Sequence, residues 1–542
     1  MFGMFFAYKI YLKKKRRLIM RIRNLICLLT MTVCVFSSLW SAPQKQKNIT
    51  LEECIVYAIK NNLDVSAEMM TPEIAQMVVT QSREKFLPSL SFGFTRRNTN
   101  APSSSWIESS DQVLTTFNNY SGQISQLLPT GGQLNVSLNA NMNDTNQRLL
   151  SINPRYGSTL DFTFSQPLLK NFGINTNRRE IIVAQNNRDI SENDFKKVLL
   201  DTVYAVEEAY WNLVYSIQTL EVKNQSLGLA QDLLLKSQKE VEIGTLAPKE
   251  ILSAKAEVAA READILQADT LVKNNIDRMK TLINLSEEEE EIILLPADQP
   301  AFEPKDISLE DALQTALENR PDLQSSRINL KNRDLDIRFT WNQLLPALNL
   351  NANYWSPGLS GDQVLYLNNN PLTNVIVGKI PGGAGDALKD TLNFKYNNWS
   401  LYFTLDIPLN TIVSRAAYGQ AKKNQERAEV RMKSLEQKAF LETKTTVRTV
   451  KTDYLRVEAY RVARELAEQK LDAEEAKLRA GMTTNFMVLQ YQRDLANAKS
   501  SELRAVIDYN LSLSRLNNTL GIGLKNWNIR LSDAGSGEGI QQ

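Results

Sequence analysis

The 542-residue chain contains no histidine. That removes imidazole general-base catalysis, Ser-His and Cys-His nucleophile pairs and His-ligated zinc from the chemistries open to it. Cysteine is nearly as scarce: Cys27, Cys34 and Cys54 are all there are. The first two fall in the N-terminal leader, so a processed chain keeps Cys54 alone and no internal disulfide is expected. Beside Ile55 on a helical face, Cys54 reads as a small buried apolar residue. Net charge is lacking too. Lysine plus arginine number 63 against 61 aspartate plus glutamate, a formal +2, and that gives no electrostatic case for nucleic acid. No Gly-rich nucleotide signature and no ordered catalytic constellation occurs, so no enzyme activity, cofactor or metal site is expected. Past the leader no run is apolar enough to cross a bilayer as a helix. If the mature chain enters a membrane, it must do so with strands.

The leader itself has the parts of a secretory signal: Lys13-Lys14-Lys15-Arg16-Arg17, Arg21 and Arg23, then an apolar run from Leu25 to Trp40, then Ser41-Ala42-Pro43. A basic region, a short apolar core and small residues are what export machinery reads. Val33 before Cys34 is a poor match to a lipid-attachment signal.

What the chain has in abundance is helix. From residue 178 to 242 there is no proline and a single glycine, Gly228. Leu199, Val203, Val206, Tyr210, Leu213, Ile217 and Leu220 recur at spacings of four and three, a heptad seam. About 65 helical residues reach roughly 100 Å. Gly244-Thr245-Leu246-Ala247-Pro248 then predicts a tight turn, and a second helix is expected over 249–285.

The chain is also written twice. Ile49-Thr50-Leu51-Glu52-Glu53 matches Ile307-Ser308-Leu309-Glu310-Asp311, and Phe86-Leu87-Pro88-Ser89-Leu90 matches Leu344-Leu345-Pro346-Ala347-Leu348. The offset is the same at both ends, 258 residues (307 − 49, 346 − 88), so a large unit is duplicated. After each of these prolines the apolar period changes from 3.6 to 2, the mark of helix handing over to strand. Strands are expected at 89–97, 119–127, 133–142 and 158–166, then at 347–355 and 394–407. Residues 100–116 and 356–389 are polar and rich in turn formers and read as loops. Along Leu134, Val136, Leu138, Ala140 and Met142 one face is apolar while Asn135, Ser137, Asn139 and Asn141 make the other polar, which suits lipid on one side and water on the other. Each copy then returns to helix, the second over 414–480 and 485–520, with Val447, Val450, Tyr454 and Val457 repeating the seam and Gly481-Met482-Thr483-Thr484 at the turn.

Six strands, or four if the hairpin 119–142 stays outside, cannot close a membrane barrel; the smallest need about eight. An open edge in lipid is forbidden. Several copies must therefore share one barrel, and three under cyclic symmetry give ~12–18 strands.

These motifs in this order, with Ser165-Gln166-Pro167-Leu168 at the return to helix, resemble the TolC-like outer membrane efflux proteins over about residues 48–523. The resemblance implies an internally duplicated α+β membrane protein, in which a long antiparallel α-helical barrel is continuous with an oligomeric transmembrane β-barrel. It implies a homotrimer in the cell outer membrane, in contact with outer membrane lipid and extending into the periplasm. The expected role is the passive exit duct of a tripartite pump for small molecules (drugs, toxic compounds, ions) or secreted proteins. Its partners would be a periplasmic adaptor (membrane fusion protein) and an inner-membrane pump or ABC exporter. The alternative is a periplasmic coiled-coil scaffold with a soluble β-domain. The chain would divide into a signal peptide (1–42), a first repeat (43–285), an inter-repeat linker (286–306) with a solvated charge run at Glu287 to Glu291, a second repeat (307–523) and a flexible tail (524–542).

Adaptor docking is expected at the turns Gly244, Thr245, Leu246 and Gly481, Met482, Thr483. In the family, acidic, Arg and Tyr residues near these turns hold the periplasmic end closed. Glu250 stands where the first copy's acid is expected, and the helix dipole alone would also favour an acid there. The second copy departs: Leu478, Thr483, Met487 and Gln490 occupy the places of a Tyr, an Arg and two acids. The constriction candidates are therefore Glu250, Met487 and Gln490, with Met487 supplying an apolar closure.

Overall fold

The computed structural model describes residues 46–103, 112–147, 150–244, 247–285, 292–373 and 375–529. The signal segment, Thr245 and Leu246, the acidic run Glu287–Glu291 and the chain end from residue 530 lie outside the described residues. In chain order the elements are β1 (Gln46–Ile49), α1 (Leu51–Asn61), α2 (Leu63–Arg83), β2 (Ser89–Pro102), β3 (Gln112–Leu127), β4 (Gln133–Thr145), β5 (Ile152–Pro167), α3 (Ile174–Asn177), α4 (Arg179–Glu242), α5 (Lys249–Ile283), β6 (Ile293–Pro296), α6 (Leu309–Asn319), α7 (Pro321–Asn342), β7 (Ala347–Tyr366), β8 (Ile376–Ile380), α8 (Ala384–Leu392), β9 (Asn398–Asp406), α9 (Ile412–Arg479), α10 (Asn485–Leu520) and α11 (Gly523–Asn526). They gather into two compact units. One draws on the chain up to Leu63 with Thr202–Lys305 and Val450–Ser514; the other takes Asp64–Asp201, Asp306–Thr449 and the stretch from Arg515 on.

In the first unit the α4 seam is buried, Tyr210 and Leu213 to 0 % exposure, as are Val450 and Val457 of α9. The start of α1 is a capping box: Thr50 Oγ1 accepts from Glu53 N at 3.2 Å and Glu53 Oε2 accepts from Thr50 N at 2.9 Å. The described part of the inter-repeat linker 286–306 carries a strand of its own. Ile293–Pro296 pairs in parallel with Gln46–Ile49. Asp298 Oδ2 then accepts from Leu51 N at 2.7 Å and from the buried Tyr210 hydroxyl at 2.8 Å. A carboxylate on the first amide of α1 satisfies a donor that no helical carbonyl reaches. Strands of four residues are too short to carry a period, which is why neither was expected.

The second unit holds the sheet, in the order β2-β3-β4-β5-β7, with β8 and β9 both on the far side of β7. All pairings within it are antiparallel. Five of the six expected strands run further than the sequence suggested, while 394–407 narrows to Asn398–Asp406. Of the expected loop 100–116, residues 100–102 and 112–116 are strand, since Asn100 pairs with Leu114 and Pro102 with Gln112; residues 104–111 lie outside the described residues. The stretch 356–389 likewise holds the rest of β7, β8 and most of α8. Helix α8 lies on the sheet, with Thr391 bonded to Ser158 and both buried. Gly358 makes room for it, since a Cβ there would collide with the Ala387 carbonyl. Of the stretch 524–542 expected as a flexible tail, the described part is packed: Leu524 and Ile529 are buried, and Lys525 Nζ donates to Asn319 Oδ1 at 2.7 Å. Among the described residues no helix is long and apolar enough to cross a membrane.

Candidate functional site

Both glycine turns are helix C-caps. Gly481 adopts φ +72° and closes α9 with Gly481 N donating to Leu478 O at 3.0 Å and Met482 N donating to Lys477 O at 2.9 Å. This bond pair needs a left-handed residue, which glycine supplies without strain. Gly244 has φ +79° and its N donates to Val241 O at 3.0 Å. Space around both Cα atoms is open, and Ile243 and Met482 stand exposed beside them. Thr245 and Leu246 lie outside the described residues. Thr483 turns back to α9: its hydroxyl donates to Glu474, which Lys477 also holds at 3.1 Å. Hydrogen bonds from Thr483 and then Lys477 keep the Glu474 carboxyl below its ordinary range. Glu250 sits half-buried in the first turn of α5, Met487 is half-buried in α10 and Gln490 is exposed.

The strongest polar joint in this unit lies two turns deeper and involves none of those three. Glu257 of α5 accepts from Arg261 Nε at 3.0 Å and from Arg493 of α10, whose Nε donates at 3.0 Å and whose Nη2 also reaches the carboxylate. Arg261 Nη2 donates to Leu489 O at 3.1 Å, and its Nη1 donates to Ser226 O of α4. Glu257 and Arg261 are only 9 % and 5 % exposed. Burial opposes the charge on Glu257, but the bonds from Arg493 and Arg261 outweigh it and hold the carboxyl below its ordinary value. Burial likewise lowers Arg261 slightly against the pull of Glu257. Around this joint Ala230, Leu233, Ala254, Leu471, Val488 and Leu489 pack into one apolar cluster. A sequence signal existed: Ala254, Glu257, Arg261 and Ala268, the buried positions in the first part of α5, keep heptad spacing, so the two charges occupy the seam itself.

The sheet has two unlike faces. On one, Phe92, Phe94, Leu134, Leu160, Leu401 and Phe403 alternate with the polar residues of the other, and much of this apolar face is bare: Phe92 is 80 % exposed and Trp399 75 %. The other face is rich in Asn, Ser and Thr, with Asn139 opposite Thr159 and Asn353 opposite Thr163.

The sequence profile of the outer membrane efflux protein family matches residues 126–285 and 312–522, more than half of the chain. The chain belongs to that family. The efflux protein is therefore a channel of the outer membrane and a transport duct, not an enzyme, and the soluble-scaffold alternative falls. A search of curated proteins by sequence finds no match. Its fold is similar to that of several solved channels. The outer-membrane channel OprN shares 16 % identity at a TM-score of 0.62, over 87 % of this chain and 90 % of that one. The CmeC outer membrane channel of Campylobacter jejuni shares 15 % at 0.60, over 90 % of each chain. MtrE of Neisseria gonorrhoeae, solved in its open state, shares 17 % at 0.59, over 88 % of this chain and 89 % of that one. Among the described residues no group of three or more His, Cys, Asp or Glu side chains is placed to hold a metal ion.

Proposed function

We propose that three copies of the efflux protein pool their sheets into one transmembrane β-barrel and their long helices into an α-helical barrel in the periplasm, forming the passive exit duct of a tripartite pump. The observation that carries this is the sheet itself. Much of its apolar face is bare, and among the described residues its edge strands, β2 at one end and β8 and β9 at the other, have no partner on their outer sides. Neither state is tolerable in lipid for a single copy. Closure by identical neighbours pairs both edges and leaves the apolar face to lipid and the Asn/Ser/Thr face to water.

The energy comes from partners: a periplasmic adaptor and an inner-membrane pump or ABC exporter. The adaptor seats on the turns at Gly244, Thr245, Leu246 and Gly481, Met482, Thr483, where exposed Ile243 and Met482 flank the bends. Glu250, Met487 and Gln490 form the narrow end of the duct. The cargo is small molecules or secreted protein. The test is the double variant Gly244→Val, Gly481→Val. Export and capture of the adaptor should be lost while the trimer still assembles in the outer membrane. Unchanged export would remove the docking role from these turns.

A further inference from the structure

We infer that all six long strands of each copy stand in the membrane wall, so that the shared barrel has eighteen strands and a wide, polar mouth. This rests on the reading of the sheet as a barrel pooled by three copies. The point at issue is the hairpin of β3 and β4, which gives the first repeat four long strands against two in the second and could have folded away from the wall.

Four observations keep it in the wall. First, β2 reaches β5 only through it. The ladders run unbroken from Ser89–Ser125 to Pro102–Gln112 and from Gln133–Ser165 to Asn143–Arg155. A hairpin swung outward would strand β2, one of the two edges that closure needs. Second, its faces keep phase with the sheet. Val136 lies between Ile124 and Phe162, and Leu138 between Gly122 and Leu160, while Ser137 lies between Gln123 and Asp161. Because side chains alternate, a slip of one residue would put this apolar set on the wrong side. Third, β3 and β4 are 16 and 13 residues long, and about 9–11 suffice to cross a bilayer. Fourth, the hairpin turn is clamped where β5 hands over to helix. Thr130 Oγ1 donates to Gln166 Oε1 at 2.9 Å, and Gly173 N donates to Thr130 O at 3.1 Å. Gly131, at φ +94°, lies so close to Asn171 that any Cβ would strike its carbonyl.

Strands about 4.8 Å apart and tilted by about 40° give an eighteen-strand barrel a backbone radius of roughly 18 Å, against roughly 12 Å for twelve strands. The open cross-section is then about twice as large, in the range where barrels carry an aqueous channel. The polar face that the hairpin adds, such as Asn119, Ser121, Asn135 and Asn139, bears amides and hydroxyls. The same face carries Arg97 and Arg155 in one row with Asn143, and Asp161 opposite Ser137, so the mouth admits bulky polar solutes past a basic row.

The test uses the full chain reconstituted into phospholipid vesicles, with one spin-labelled cysteine at a time at positions 135–138 of β4 and 159–162 of β5. Cys27→Ser and Cys34→Ser remove the leader thiols. Cys54 is buried and its thiol is pushed up to about 12 by that burial and by nearby Glu53 and Asp298, so it does not compete for label. Collision with oxygen reports lipid and collision with a water-soluble nickel chelate reports the lumen. The inference requires Val136 and Leu138 to favour oxygen and Asn135 and Ser137 the chelate, in the same alternation as β5. Alternation in β5 with none in β4, or in the opposite phase, overturns the six-strand wall and leaves the duct standing. No alternation in either strand overturns the barrel reading as well. A hairpin deletion of 104–150 supplies a second readout, because β2 stays antiparallel to β5 once two strands are lost. Images of the deleted and full-length rings should differ in barrel diameter by about a third; equal diameters contradict the inference.

Discussion

The sheet and the helical seam of this one chain treat their large side chains in opposite ways. Along α4 the biggest apolar residues vanish from the surface, with Tyr210 and Leu213 at 0 % exposure. In the sheet the biggest are the barest, with Phe92 at 80 % and Trp399 at 75 %. The polar groups invert as well. Glu257 and Arg261 are buried in the seam, whereas the sheet gathers its Asn and Ser residues on one face and leaves much of the other, apolar face exposed. One part is therefore stabilised from within by packing and by paired buried charge. The other waits for an environment, lipid and neighbouring copies, that a single chain does not supply.

The comparison can be broken at several points, and the first concerns the buried charge. Glu257→Gln leaves Arg261 and Arg493 facing a neutral amide and should cost about 3–5 kcal/mol, as removing one partner of a buried pair does. Denaturant unfolding followed by the helical signal reads this. The pH dependence has a definite sign. A carboxyl held below its ordinary value of 4.5 contributes stability that is fully present above that value and is lost as pH falls through its folded value. Acid sensitivity of the helices below about pH 4.5 should accordingly shrink in Glu257→Gln.

In the sheet, Leu138→Arg puts a charge on the apolar face and should cost about 2–4 kcal/mol near the membrane midplane. Its neighbour Asn139→Arg, on the wet face, should cost under about 1 kcal/mol. The yield of folded protein in vesicles separates the two, and equal effects would abolish the distinction between the faces. Each of Gly244→Val and Gly481→Val should cost about 1–2 kcal/mol through its left-handed φ, seen as a lower melting temperature of the helical signal. Smallest is the cap: Thr50→Ala should cost about 1 kcal/mol, measured the same way, because Asp298 still holds the Leu51 amide.

Much of this architecture could be read from the chain because its periods are long. A seam from Leu199 to Leu220 and strands such as 133–142 repeat their pattern often enough to be seen. What escaped was short or tertiary. β1 and β6 span four residues each. α8 depends on the space left by Gly358, the outer half of β2 is polar on both faces, and that of β7 is broken by Pro357, Gly358 and Gly361, so both resemble loops. The ionic joint escaped for another reason. Glu257 and Arg261 look like an ordinary surface pair four residues apart, and only the register of Ala254 and Ala268 places them inward. The turn glycines were evident, since few residues other than glycine tolerate positive φ there.

The central claim is that no copy closes its own sheet, and the mass of the detergent-extracted channel tests it most directly. Native mass spectrometry on protein taken from outer membranes should give three copies per particle that separate only on unfolding. A single folded copy that stays soluble without detergent, with Phe92 and Trp399 shielded by its own helices, would contradict the account.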